Sequence, residues 1–562
     1  MGHLNYSDEW FIWEQNASPM LLTMALTAGF NDLRRYLGSS LFNSIIIFEP
    51  DNNNNYQGRW FYRPNEELIL GQKMLDMLLC PTYFSSFTKG ICVAEDTLLR
   101  KAKEIWRDSN SYSLVEAIEH FDELLQYYYD YYKRGWFSEP VQYYIEHLIS
   151  TYLKKNFKGL LSINEAMQAL FTAEDESFTT AIIRDLYECA KLIDGLLISD
   201  KLLYELINAT QRDFGFQNRI IDYIFSSGKC SFSPLVDRLK KHSDEYYWKK
   251  SNYFAASFVS PESILLELID ECHVSVDGIS KYYSDMIAMI SESKTERLAV
   301  KSEIFLELSQ YYKNLVNLSN SIGSKLKDTR KRNIMECNSA FDALLGIVSR
   351  ETSVGLEDIH MLIPQELRNF VCDPKSYYER FIERRKLFVC LQTDFSLIDE
   401  LIENINTSTH ESILSWQIKP MDELYIAEGS NAEGVLRNLN MRMNFYDTSE
   451  EARSDLCGIV IFCSQSDIIV EGVVRIIRNP KSEVLLDGEI LVAPTTTPDY
   501  FESIHKCRAI ITDWGSQTSH AAIISRELKK PCIIGTSFAT QILETGQRIS
   551  IDFRDGKIEI IR

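Results

Sequence analysis

The sequence predicts a multidomain chain: a large, mostly α-helical domain with a small β-hairpin, then a compact C-terminal β/α domain of short strands around one helix. Three observations predict it. The length of 562 residues exceeds what one ordinary core fills. Apolar residues recur at three- and four-residue spacing through most of the first part, with charges between them. Near residue 455 that period gives way to short β-branched runs separated by turns. The expected division is a helical domain over 1–420, a connector over 421–454, and the β/α domain over 455–562.

In chain order, Ser44 to Phe48 is β-branched and apolar, Asp51 to Asn55 is rich in turn formers, and Gly58 to Tyr62 is again strand-like, which together predict the hairpin. Helices are expected over Leu114 to Lys133, Pro140 to Lys155, Ala181 to Ile198, Pro261 to Glu271 and Ser302 to Met335, where Pro and Gly are sparse. The tyrosine-rich run from Tyr127 to Tyr132 fits a helix-packing surface. In the C-terminal part, strands are expected over Ile459 to Phe462, Gly472 to Ile477, Glu489 to Val492, Ala509 to Thr512, Pro531 to Gly535 and Arg548 to Asp552. The one clear helix there runs from Ser519 to Leu528, and Asp555-Gly556 signals a hairpin turn.

Composition excludes several function classes. A formal net charge of -21 disfavours binding to a nucleic-acid backbone or an anionic membrane. No apolar run has the length of a membrane span, and the N-terminus lacks the pattern of a signal peptide. Twelve cysteines are dispersed without a CxxC pair, which argues against a zinc site and for a reduced, cytoplasmic protein. Cys272-His273 stands alone, so no metal site is expected, and His273 and His360 are expected to be structural.

The chemistry-bearing segment is Thr512 to Ile524. A strand ends, a polar loop containing Gly515 follows, and a helix begins near His520. A histidine in the first turn of a helix lies among unpaired backbone N–H groups that suit a phosphoryl group. The same field keeps the imidazole neutral and nucleophilic. Thr518 and Ser519 add hydroxyls for phosphate oxygens or the second ring nitrogen. Elsewhere, Lys325, Lys327, Arg330, Lys331 and Arg332 form a basic cluster on an acidic chain, and Arg384-Arg385 form a second. Arg330, Arg332, Arg384 and Arg385 are candidate phosphate contacts in an acceptor site. A solvated basic helix face is the competing reading.

Several segments occur in the order of a known family: Gly472 to Ile477, Asp487 to Pro494, Thr496-Thr497-Pro498-Asp499, Thr518 to Ile523, Ser525 to Leu528, Pro531 to Thr536 and Gly546 to Asp552. Residues 455 to 562 thereby resemble the swivelling phosphohistidine domain of the phosphoenolpyruvate-utilising enzymes, which include phosphoenolpyruvate synthase, pyruvate phosphate dikinase and rifampicin phosphotransferase. Trp10 to Leu22, Gly355 to Leu362 and Ile382 to Arg385 are similar, less specifically, to the helical domain of rifampicin phosphotransferase-like enzymes. The loop departs from the family pattern, with Trp514 at an expected acidic position and Ser516 at an expected glycine.

The resemblance implies that His520 accepts and passes on a phosphoryl group, with Gly515, Thr518, Ser519, Thr497 and Arg526 supporting loop and phosphate. It implies a small-molecule acceptor held by the helical domain. No Walker A sequence or glycine-rich phosphate loop is present. The expectation is therefore a split dikinase-type phosphotransferase: a separate ATP-grasp protein supplies ATP and Mg²⁺, and this chain binds no cofactor directly. Two other readings stay open, a phosphocarrier serving another protein and a non-catalytic homologue.

Overall fold

The fold was analysed in a computed structural model, which describes residues 11–24, 44–50, 56–62, 64–135, 138–157, 163–172, 174–208, 215–253, 255–272, 278–322, 329–392, 424–430, 432–434, 436, 456–464, 468–515, 517 and 519–561. The chain is mainly helical, with a β/α domain at its C-terminal end, as its periodicity predicts.

The expected hairpin is present and is the centre of a larger sheet. Strands β1 (Phe11–Asn16), β2 (Ser44–Pro50), β3 (Tyr56–Tyr62), β4 (Phe388–Gln392) and β5 (Leu424–Glu428) form one antiparallel sheet in the order β1-β3-β2-β4-β5. Ser44 pairs with Gln392 and Phe388 with Glu428, so β4 and β5 arrive from distant sequence. Strand β5 falls inside the segment 421–454 that composition marks as a connector. It is instead part of the helical body's sheet, because five residues of mixed polarity form a strand once β4 offers a paired edge.

Four of the expected helices occur, as Leu114–Gly135, Ser138–Asn156, Phe178–Ser199 and Pro261–Cys272. The fifth does not run unbroken. Its span is divided among Ile279–Glu307, Gln310–Ile322 and Thr329–Thr352. The first break lies at Leu308, which is extended at φ -71 and ψ 144 and buries its side chain. Burial of that leucine overrides a periodicity that continues across the turn. Among the described residues no helix is long and apolar enough to cross a membrane.

The C-terminal domain is a seven-stranded mixed sheet of β6 (Ile459–Phe462), β7 (Ile469–Ile476), β8 (Ile490–Ala493), β9 (Ala509–Thr512), β10 (Cys532–Ile534), β11 (Arg548–Asp552) and β12 (Lys557–Ile560), in the order β12-β11-β7-β8-β9-β10-β6. Strands β7, β8, β9 and β10 are parallel neighbours. Strands β8, β9 and β10 are buried throughout, as parallel strands covered on both faces require. The β11–β12 hairpin turns at Gly556, whose φ of +77 and 2.2 Å approach to the Gly458 carbonyl by an added Cβ leave room only for glycine.

Candidate functional site

Two adjacent parallel strands build the site. Helix His520–Glu527 connects β9 to β10, so its first turn lies beyond the C-terminal end of β9. Thr496 follows β8, whose last residue, Ala493, is paired with Thr512 of β9. Loops leaving the C-terminal ends of neighbouring parallel strands converge, which is where open α/β sheets place their ligands. Here they bring Thr496 Oγ1 to 2.9 Å from His520 Nδ1.

The loop before the helix is fixed by its backbone. Asp513 N donates to the Ala493 carbonyl at 3.1 Å, Trp514 N to the Pro494 carbonyl at 3.0 Å, and Thr512 Oγ1 to the Trp514 carbonyl at 2.9 Å. Asp513 accepts from Thr536 Oγ1 at 3.0 Å and Thr540 Oγ1 at 2.5 Å, tying the loop to the far side of β10. Trp514 is buried rather than presented at the surface. At Gly515 a Cβ would lie 2.9 Å from Ser519 Oγ, the group that caps the helix by accepting from Ala522 N. Gly515 thus keeps open the space the cap occupies.

His520 is 6% exposed, and what covers it comes from outside its own domain. The ring of Phe178, at the start of helix Phe178–Ser199, stacks over it with centroids 6.3 Å apart and planes 12° apart. Lys331, in the first turn of helix Thr329–Thr352, acts on it electrostatically. Burial, and then Lys331, push the imidazole well below its ordinary range. The ring is therefore neutral, and with Nδ1 engaged by Thr496, Nε2 is the nitrogen left to act as nucleophile. The helix-terminus field expected from the sequence is joined by desolvation under the helical body.

Polar contacts hold that lid in place. Gln517 N donates to Glu146 at 3.3 Å, Asn252 Nδ2 to Asp499 at 2.9 Å, and Lys481 Nζ to the Ala255 carbonyl at 2.8 Å. The Arg526 carbonyl accepts from Ser293 Oγ and Arg297 Nη1, both at 3.1 Å. Each such bond contributes about 1 kcal/mol net, because water replaces it when the surfaces part. These bonds border an apolar seam, in which Tyr500, Ile504, Ala521, Ala522 and Ile524 join the buried cluster of the helical body.

The other sequence candidates take varied places. Thr497 does not face the ring; it donates to Asp499 Oδ1 at 2.5 Å, and its neighbour Thr496 makes the contact. Arg526 is buried and clasps the loop through the Gln517 carbonyl, and Ala522 O at 2.7 Å. Thr518, Ser516, Lys325, Lys327 and His273 lie outside the described residues. Of the described basic cluster, Lys331 is the member placed near His520. Arg330 is buried against Glu139, and Arg332 pairs with Glu95 at 3.3 Å. Arg384 is fully buried and filled by Glu366, Glu428 and the Met361 carbonyl, so its guanidinium has no donor left for a phosphoryl group. Arg385 is exposed and pairs with Asp358. His360 is buried against Asp342 at 2.9 Å.

Two expectations follow from this geometry. Thr496→Val frees the ring to rotate and to adopt the wrong tautomer, and should slow phosphorylation of His520 by about 10- to 100-fold in a single-turnover assay. The second concerns pH. Burial also holds His242 below its ordinary range, and burial with Lys530 and Lys506 brings His505, hydrogen-bonded to Tyr282 at 2.9 Å, down to about 4. An unfolded histidine takes up its proton near pH 6.5, while these stay neutral in the fold, so each subtracts stability as pH falls below about 6.5. Burial pushes Glu336 up to about 7, and it acts in the opposite sense. A plot of Tm against pH between 6.5 and 5 should therefore be shallower in His505→Asn and steeper in Glu336→Gln than in the parent. Parallel curves would refute this.

Comparison with known proteins agrees with the sheet and the loop. The family profile described as "PEP-utilising enzyme, mobile domain" matches residues 485–556, a span that includes β8, Thr496 and His520. A probable phosphoenolpyruvate synthase of Archaeoglobus fulgidus is 33% identical over 165 residues, 28% of this chain and 22% of that protein. The phosphoenolpyruvate synthase of Pyrococcus furiosus is 46% identical over 72 residues, 13% of this chain and 9% of that protein. That of Aquifex aeolicus is 38% identical over 111 residues, 20% of this chain and 13% of that protein. The chain thus spans under a quarter of the length of these relatives. The C-terminal domain of this chain belongs to the mobile-domain family of the PEP-utilising enzymes.

Proposed function

We propose that the chain is a phosphotransferase component in which His520 accepts a phosphoryl group from a donor unit and delivers it to a small molecule held by the helical body. The observation that carries this reading is the seating of His520: first turn of a helix, Nδ1 held by Thr496, ring covered by Phe178 of the other domain, with Lys331 of that domain acting on it electrostatically. In loading, Nε2 attacks the donor phosphorus as the donor's P–O bond breaks. In delivery, the acceptor oxygen forms an O–P bond, the N–P bond breaks, and its electron pair stays on Nε2. A hydroxyl acceptor passes its proton to that nitrogen, which loses it to solvent once the domain swings out.

The described conformation fits the delivery state. A lid that excludes water protects a phosphoimidazole from hydrolysis, and Lys331 offers positive charge to the moving phosphoryl. The donor meets His520 only after this interface opens. The expected donor unit is a separate ATP-grasp protein that uses ATP and Mg²⁺.

Incubation with labelled ATP and such a protein should place acid-labile label on this chain, and the label should leave only when the acceptor is added. Transfer to a histidine of a second protein would instead identify a phosphocarrier. Label that persists in His520→Ala would end the assignment.

A further inference from the structure

Alongside the His520 helix lies a cavity of about 390 Å³, walled by the helical body on one side and by Ile523, Arg526 and Glu527 on the other. His520, Ile523 and Glu527 stand at i, i+3 and i+7, so they share one stripe of that helix. On the opposite wall Ser177 and Thr180 line the cavity, and Phe178 between them stacks on the His520 ring. Both walls therefore lead from the cavity to the elements that hold the histidine.

The lining carries polar atoms that packing does not explain. Four buried side-chain atoms around the cavity have no hydrogen-bond partner: Gln142 Oε1, Ser319 Oγ, Arg297 Nε and Arg526 Nη1. Gln142, Ser319 and Arg526 are 1%, 0% and 4% exposed. An orphaned buried polar atom costs about 1–3 kcal/mol, so four around one cavity mark a place built for a polar occupant. Two guanidiniums meet at one end, and burial with the neighbouring Arg297 brings Arg526 down to about 10. Glu527 acts on both of them, Glu146 on Arg526 and Glu296 on Arg297. The mouth carries the exposed Glu174 and Asp175, which weigh against polyanions.

We propose that this cavity seats the acceptor as a small hydroxylated oxyanion, its carboxylate or phosphate on Arg297 and Arg526 and a hydroxyl on Gln142 and Ser319. This deepens the phosphotransfer reading and rests on it for the acceptor role. Paired guanidiniums are suited to a planar or tetrahedral oxyanion. An amide carbonyl beside a hydroxyl suits an O–H that both donates and accepts. A large apolar ligand would leave all four atoms unpaired.

The test uses the full chain and isothermal titration calorimetry with gluconate, glycerol 3-phosphate and glycerol. At least one anion should bind, glycerol should not, and Arg297→Gln and Ser319→Ala should each weaken binding at least tenfold. Ser319→Ala removes only an unpartnered hydroxyl, so its Tm should not fall. The arms separate the two oxyanion chemistries. Failure of both anions to bind, or binding unchanged in both variants, overturns the site and leaves a water-filled gap. In parallel, phosphoramidate is used to phosphorylate His520. Anion binding as expected with no phosphorylation of His520 overturns the acceptor role and the phosphotransfer reading, and leaves the ligand site standing.

Discussion

His520→Ala is expected to reduce acid-labile phosphoryl incorporation to background, a loss of at least about 10³-fold, while leaving the fold intact. The loss is large because the described site has one nucleophile at the focus of the helix N-terminus, Thr496 and Lys331. The fold survives because the ring packs against Phe178 at the domain interface, and not in the sheet's own core. Incorporation is checked by scintillation counting after base and acid washes, and the fold by far-UV circular dichroism. Substitution by asparagine should be equally inactive, since the amide shape without a nucleophilic ring nitrogen cannot carry the group.

Arg384→Met is expected to lower stability by about 3–5 kcal/mol, read from urea unfolding. The guanidinium is 0% exposed and bonds Glu366 at 2.7 Å and Glu428 at 2.7 Å while lying over the Phe388 ring at 4.4 Å. Removing it leaves Glu366 and Glu428 sharing Arg380 alone in a nearly dry space, and Arg380 becomes the remaining side-chain link from helix Tyr378–Lys386 to Glu428 of β5. Folded Arg384→Met should still phosphorylate at His520 at the parental rate. A stable variant that fails to transfer phosphoryl would restore Arg384 to the acceptor site.

These two residues also show what the sequence discloses. His520 is legible because its signal is local: a strand, a short loop with Gly515, an N-cap at Ser519 and an apolar helix follow within twenty residues. The role of Arg384 is not, because its partners lie 18 and 44 positions away and become neighbours only when β4 and β5 pair. The same holds for the five-stranded sheet, whose central hairpin has a local turn signal while β4 and β5 have none. Thr496 and Thr497 are adjacent and chemically alike. Which one meets the ring is fixed by how the chain leaves β8, a matter of one residue's rotation. Lys331 stands in a run of three basic residues on a helix, about 100° apart in projection, so one can face the site while its neighbours pair with Glu139 and Glu95. Sequence marks the cluster; only the packing of Thr329–Thr352 against helices Pro81–Asp108 and Leu114–Gly135 selects the member.

The most direct test is to locate the phosphoryl group itself. After treatment with phosphoramidate, or with ATP and the donor unit, the protein is digested at alkaline pH and its peptides are fragmented by mass spectrometry. The account predicts a phosphoryl on the imidazole of His520. Modification confined to another residue, with the His520 peptide unmodified, would contradict it.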